Sequence, residues 1–223
     1  VIALPRNTPN ARNTPGARNI RRARSFRRAL TGALAAVTIV APLVSGCSSS
    51  STPSASTTTA AATPAAVKTA PAISRSTPTS FIISSIKASG SLISVGLNTD
   101  GTVQVPADYQ QAGWYQKGPA PGEQGSAVIL GHVDSYKGEG IFFSLRKVKP
   151  NDVIDVTRAD GKTAHFKVTD VRMYLKSQFP DQLVFGPRGG ATLQVVTCGG
   201  NVDQAAKSYE SNVVVFSSLD SVT

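Results

Sequence analysis

The chain has 223 residues, with 23 Lys and Arg against 13 Asp and Glu and a formal net charge of +10. That charge is concentrated at one end: ten cations and no acids precede residue 80, and 13 cations face 13 acids from there on. The folded part is therefore neutral by count, which removes the main argument for a polyanion-binding protein and excludes nucleic acid as an expected partner.

Eight arginines, from Arg6 to Arg28, precede an apolar run that begins near Ala29 and closes in Leu43-Val44-Ser45-Gly46-Cys47. A basic segment, an apolar segment and small residues in this order read as an export signal over residues 1–47. Its last five residues resemble a bacterial lipobox, whose cysteine becomes lipid-modified, so Cys47 is the expected lipid attachment site. The alternative is an uncleaved anchor, against which the run is short for a span of about 20 residues. Either reading places the rest of the chain on the outer face of the cell membrane. Residues 48–79 are almost entirely Ser, Thr, Ala and Pro, which cannot bury enough apolar area to offset chain entropy, and are expected to be a disordered linker. Residues 80–223 remain as one domain, long enough for a sizeable core.

Within that domain strand signals are frequent and helix signals few. Phe81-Ile82-Ile83 and Leu92 to Val95 read as early strands, followed by a turn at Asn98 to Gly101 and an extended piece from Thr102 to Val105. Val128-Ile129-Leu130 is continuously apolar and leads into Gly131-His132, the pattern of a strand buried on both faces. Ile141, Phe142 and Leu145 share one face of a short helical piece over 140–146. Asp160-Gly161 joins Val153 to Val156 with Thr163 to Val168 as a hairpin. Leu193 to Thr197 is another continuously apolar strand, and Asn212 to Phe216 the last. The fold class is all-β, and the pattern alone allows a closed barrel or a sandwich.

Two strand ends carry the candidate chemistry. Cys198 is the only thiol of the domain, and a thiolate needs a nearby cation or base to form or to act. A histidine supplies either. Of the two histidines, His165 alternates with Thr163 and Lys167 and faces solvent, whereas His132 ends an apolar strand before the loop Val133-Asp134-Ser135. Asp134 either orients His132 or begins a turn. Against a nucleophile stands the commoner role of a free cysteine as a small buried hydrophobe.

Gly131-His132-Val133-Asp134-Ser135, Val196-Thr197-Cys198-Gly199-Gly200 and Tyr209-Glu210-Ser211-Asn212-Val213-Val214-Val215, in this order, resemble an actinobacterial class F sortase. The likeness runs from about Gly90 to Phe216 and includes Ala112-Gly113-Trp114-Tyr115 and Gly140-Ile141-Phe142. It implies a closed barrel of about eight strands with one or two short helices, and a cysteine transpeptidase. By that resemblance Cys198 attacks the threonine carbonyl of an L-P-x-T-G-like sorting signal, and His132 protonates the leaving amine. A cell-surface amine, on peptidoglycan or elsewhere, then resolves the acyl-enzyme, or water does. The implied partners are surface proteins bearing the signal, and the mechanism calls for no cofactor or metal. Thr197 and Arg188 are expected to bind substrate. Where such enzymes carry an arginine on the last strands, this sequence has Asn212, or Glu210 in a register slipped by two. Arg188 and then Arg172 are the alternative cations. Two other readings remain: a non-catalytic binding module of the cell envelope on the same barrel, and an L,D-transpeptidase, whose cysteine follows Ser-His-Gly rather than Val196-Thr197.

Overall fold

The computed structural model describes residues 70–223. The export segment, Cys47 and the linker up to residue 69 lie outside the described residues. Ten strands follow in chain order: β1 (Pro78–Ile83), β2 (Ala88–Val95), β3 (Ala112–Tyr115), β4 (Gly125–Gly131), β5 (Asp134–Ser135), β6 (Gly138–Glu139), β7 (Val153–Arg158), β8 (Thr163–Leu175), β9 (Ala191–Asp203) and β10 (Ser208–Val222). Eight of them close into a barrel in the order β1-β2-β3-β4-β9-β10-β8-β7, while β5 and β6 form a separate hairpin directly after β4. The barrel, rather than the sandwich, is thus the architecture. Closure removes the exposed edges that an open sheet of this size would present.

Strand parity explains the two continuously apolar runs. Ala127 and Ile129 of β4, Leu193 and Val195 of β9, and Val213 and Val215 of β10 belong to one core cluster with Phe81, Phe142 and Phe166. The residues of opposite parity, Val128, Leu130, Val196 and Val214, form a second cluster with Val184. Val184 sits in the helix α1 (Asp181–Phe185), and its carbonyl accepts a hydrogen bond from the Ser126 hydroxyl on β4. Both faces of β4 and β9 are therefore covered, and alternation disappears from their sequence.

Three local expectations differ from the structure. The helical piece over 140–146 is a turn followed by a single 3-10 turn, Leu145–Lys147; Phe142 and Leu145 are both buried, and three-residue spacing is the 3-10 period. Thr102 to Val105 contributes only an isolated bridge, Leu97 to Val103, around a turn in which Asp100 accepts from the Thr102 amide. The helix α1, five residues long, is too short to leave a periodic signal. Packing also begins before residue 80: the Ala70 amide donates to the Leu219 carbonyl and the Ile73 amide to the Gly122 carbonyl.

Candidate active site

Strands β4 and β9 run parallel and in register from Gly125 with Ala191 to Leu130 with Val196. His132 and Cys198 each stand two residues beyond that last pair, so they lie at the same level on neighbouring segments about 4.8 Å apart; β4 ends just before His132, whereas β9 runs on past Cys198 to Asp203, so the cysteine is within a strand and not at the strand end its sequence suggested. Between them, the Thr197 hydroxyl donates to the Gly131 carbonyl at 2.9 Å and pins β9 to the end of β4. On the other side of β9, Asn212 of β10 is the register partner of Cys198, and Tyr174 of β8 is the partner of Asn212. One row across four adjacent strands thus holds His132, Cys198, Asn212 and Tyr174.

The orientation of His132 is set by its surroundings. Its Nε2–H donates to the Pro106 carbonyl at 2.8 Å; a carbonyl can only accept, so the neutral ring keeps its lone pair on Nδ1. The His132 carbonyl accepts from the Phe142 amide at 3.0 Å, and the Val133 carbonyl from the Gly140 amide at 2.9 Å. A Cβ at position 140 would stand 2.5 Å from the His132 oxygen, so the segment can approach only as glycine. Gly140-Ile141-Phe142 is the brace of the histidine.

Cys198 is a free, partly exposed cysteine. It lines a cleft of about 220 Å³ together with Thr197, Tyr209, Arg146, Phe142 and Met173. The next residue, Gly199, must be small: a Cβ there would meet Val213 Cγ2 at 2.7 Å. The Tyr209 hydroxyl donates to Asp134 Oδ2 and so ties the loop after His132 to β10. That hydrogen bond, with burial and the negative charges of Asp134 and Cys198, pushes the phenol up to about 12, against an opposing pull from the Arg146 guanidinium. Asp134 therefore holds Tyr209 at the start of the β5–β6 hairpin.

Asn212 is fully buried, and neither Nδ2 nor Oδ1 has a partner. Leaving such a group unpaired costs about 1–3 kcal/mol. Glu210 is exposed and sits at the register shift between Tyr209 and Ser211, outside the regular ladder. Arg188 and Arg172 are not brought to Cys198. They line another cavity, of about 280 Å³, where Arg188 donates to the Leu183 carbonyl and Arg172 is paired with Asp170. His165 is held by Asp155 at 2.7 Å and by Thr223 at 2.9 Å. It pairs with Ser221, nine residues along β10 from Asn212, hence about 30 Å away toward the opposite end of the barrel. Among the described residues no group of three or more His, Cys, Asp or Glu could hold a metal ion. Arg146 is the cleft residue that sequence reasoning passed over; its only signal was its place at the end of the apolar stretch from Ile141 to Leu145.

A thiol level with an oriented imidazole, with an unpaired buried amide as its register partner on β10 and an arginine on its cleft, is equipped for acyl transfer by nucleophilic attack. Residues 83–220 match the protein family described as the Sortase domain. Similar solved structures include the SrtA sortase from Actinomyces oris, at 17% identity and TM-score 0.51, covering 70% of this chain and 89% of that one. Sortase A of Listeria monocytogenes follows at 17% identity and TM-score 0.50, covering 67% and 90%. A sortase A from Corynebacterium diphtheriae is 20% identical with a TM-score of 0.49, covering 66% of this chain and 62% of its own length. At these identities the first two support the barrel fold alone. No curated protein matches the chain.

Proposed function

The chain belongs to the sortase family, a family of cysteine transpeptidases, and we propose that it is a class F enzyme acting on a sorting signal of L-P-x-T-G type. In this reading the Cys198 thiolate attacks the threonine carbonyl, the peptide C–N bond breaks, and His132 gives its proton to the departing amine. A thioester joins the substrate to Cys198. An amine of the cell surface, on peptidoglycan or another acceptor, then attacks the thioester, passes a proton to His132 and releases the thiolate. Water in place of the amine yields hydrolysis. Thr197 serves by fixing β9 to the end of β4, and the Asn212 amide, buried and unpartnered opposite Cys198, is assigned to the substrate backbone. The residues before the barrel anchor the enzyme at the membrane, through lipid on Cys47 or through the apolar run itself.

The observation that carries this reading is the parallel, in-register pairing of β4 with β9, which puts His132 and Cys198 at one level. The test is incubation of the full chain with a sorting-signal peptide, with mass spectrometry of the peptide that contains Cys198. An acyl adduct on Cys198 and cleavage of the signal are expected. Cys198→Ala is expected to abolish both, and His132→Ala to lower turnover by about 10²–10⁴-fold. Retained cleavage by Cys198→Ala would end the assignment, and an unmodified thiol with bound peptide would favour the binding module. The intact mass of the protein isolated from membranes reports whether Cys47 carries lipid.

A further inference from the structure

The acyl-transfer reading creates an oxyanion when Cys198 attacks, and the last strands offer Asn212 and Glu210 where a cation is wanted. The arginines of the described residues narrow the choice. Arg75 is bound to Glu123 and to the Gly118 and Gln116 carbonyls, and Arg158 is buried against Asp160 and the Pro121 and Ser74 carbonyls. Arg172 and Arg188 are engaged in the other cavity. Arg146 is exposed, makes no hydrogen bond or ion pair among the described residues, and lines the Cys198 cleft.

We infer that Arg146, reaching the cleft from the 3-10 turn Leu145–Lys147, is the cation that stabilises the oxyanion formed on Cys198; the inference rests on the acyl-transfer reading above. Its base is fixed, because Leu145 and Phe142 of the same segment are buried in the barrel core. The segment is also the brace of the His132 backbone, so one stretch of chain, from Gly140 to Arg146, holds the histidine's main chain and presents the guanidinium. Electrostatics agree with this placement: Cys198 and Arg146, which line one cleft, each act on the Tyr209 phenol, with opposite sign. The chemistry needs no proton from arginine. As the Sγ–C bond forms, the carbonyl electron pair moves to oxygen and is met by the guanidinium's fork of N–H donors. Collapse returns the pair, breaks the C–N bond, and the leaving amine takes its proton from His132. The second half repeats the charge development with the incoming amine.

The test compares full-length Arg146→Gln, Arg146→Lys and Lys147→Gln with the wild type in two reactions of Cys198: acylation by a sorting-signal peptide, and alkylation by iodoacetamide, which forms no oxyanion. Arg146→Gln is expected to slow acylation about 10²-fold or more, the usual cost of an oxyanion donor, while alkylation stays within about twofold. Arg146→Lys, which keeps the charge without the fork, recovers part of the loss, and Lys147→Gln, one residue away and outside the cleft, behaves as wild type. Acylation by Arg146→Gln within about threefold of wild type overturns the inference. So does a parallel loss of alkylation and of thermal stability, which marks a structural role. A wild-type chain that is alkylated but never acylated removes the acyl-transfer reading itself, and this inference with it.

Discussion

At the residue scale, Asp134 and Tyr209 divide labour that the sequence left open between orienting His132 and starting a turn. The imidazole Nε2–H goes to the Pro106 carbonyl, and the Asp134 carboxylate accepts from Tyr209. The clasp joins the His132 loop to the start of β10 across 75 residues of chain. Tyr209→Phe keeps the ring and removes the bond. The expected cost is about 1 kcal/mol at pH 8, at the low end for a hydrogen bond to a charged group because the pair is only partly buried. The phenol adds a pH signature. Its pKa is raised in the folded chain to about 12 from 10.0, so the unfolded state ionises first. The stabilisation is whole below pH 10 and is lost as the pH climbs through 12. Urea unfolding at pH 8 and at pH 11 to 12 checks this: the wild type should lose its advantage over Tyr209→Phe across that interval. A difference that does not change with pH would contradict it.

At the scale of elements, the site is built from the parallel pair β4 and β9 and from the segment that braces β4. Gly140→Ala tests the brace. A Cβ 2.5 Å from the His132 oxygen must push the segment or the histidine away, and position 140 lies outside the barrel strands. Turnover is expected to fall at least about tenfold, since a misplacement near 1 Å can cost about 10²-fold. Iodoacetamide alkylation of Cys198 and the far-ultraviolet circular dichroism should stay close to wild type; a collapse of the dichroism would mean that position 140 supports the fold rather than the histidine. What the sequence made legible follows from the same geometry. Two apolar runs, each covered on both faces, marked β4 and β9, and each run led directly into a candidate side chain, His132 or Cys198. Asn212 was readable because its place opposite Cys198 depends on the apolar phase of β10, which the sequence displays. Arg146 was not, because its meeting with Cys198 spans 52 residues and depends on barrel closure. The hairpin β5–β6 and helix α1 escaped for a simpler reason: two to five residues are too few to show a period.

At the scale of the whole molecule, the barrel is held at its N-terminal approach by two arginines. Arg158, at the end of β7, is fully buried; its guanidinium donates to the Ser74 and Pro121 carbonyls and pairs with Asp160 at 2.9 Å. Arg75 lies over the Trp114 ring at 5.2 Å and binds Glu123 at 2.9 Å. Residues 70–77 therefore form a strap along the barrel. A chain cut at residue 80, where the composition changes, keeps Arg158 but strips away the Ser74 carbonyl, and it also removes Arg75 and the first two residues of β1. A buried cation that loses an acceptor costs more than the bond was worth, because its desolvation is no longer offset. Residues 70–223 are thus expected to be more stable than residues 80–223 by about 3 kcal/mol or more, a fall in Tm of roughly 6–12 °C for a domain of this size. The comparison separates two roles for the strap. The cleft is lined by residues from Val133 to Val213, none of them in the strap, so the shorter chain should retain Cys198 alkylation at low temperature and lose it on warming before the longer one does. Equal melting temperatures would show that the strap's bonds add nothing to folding. Loss of alkylation in the cold would instead give the strap a part in shaping the cleft.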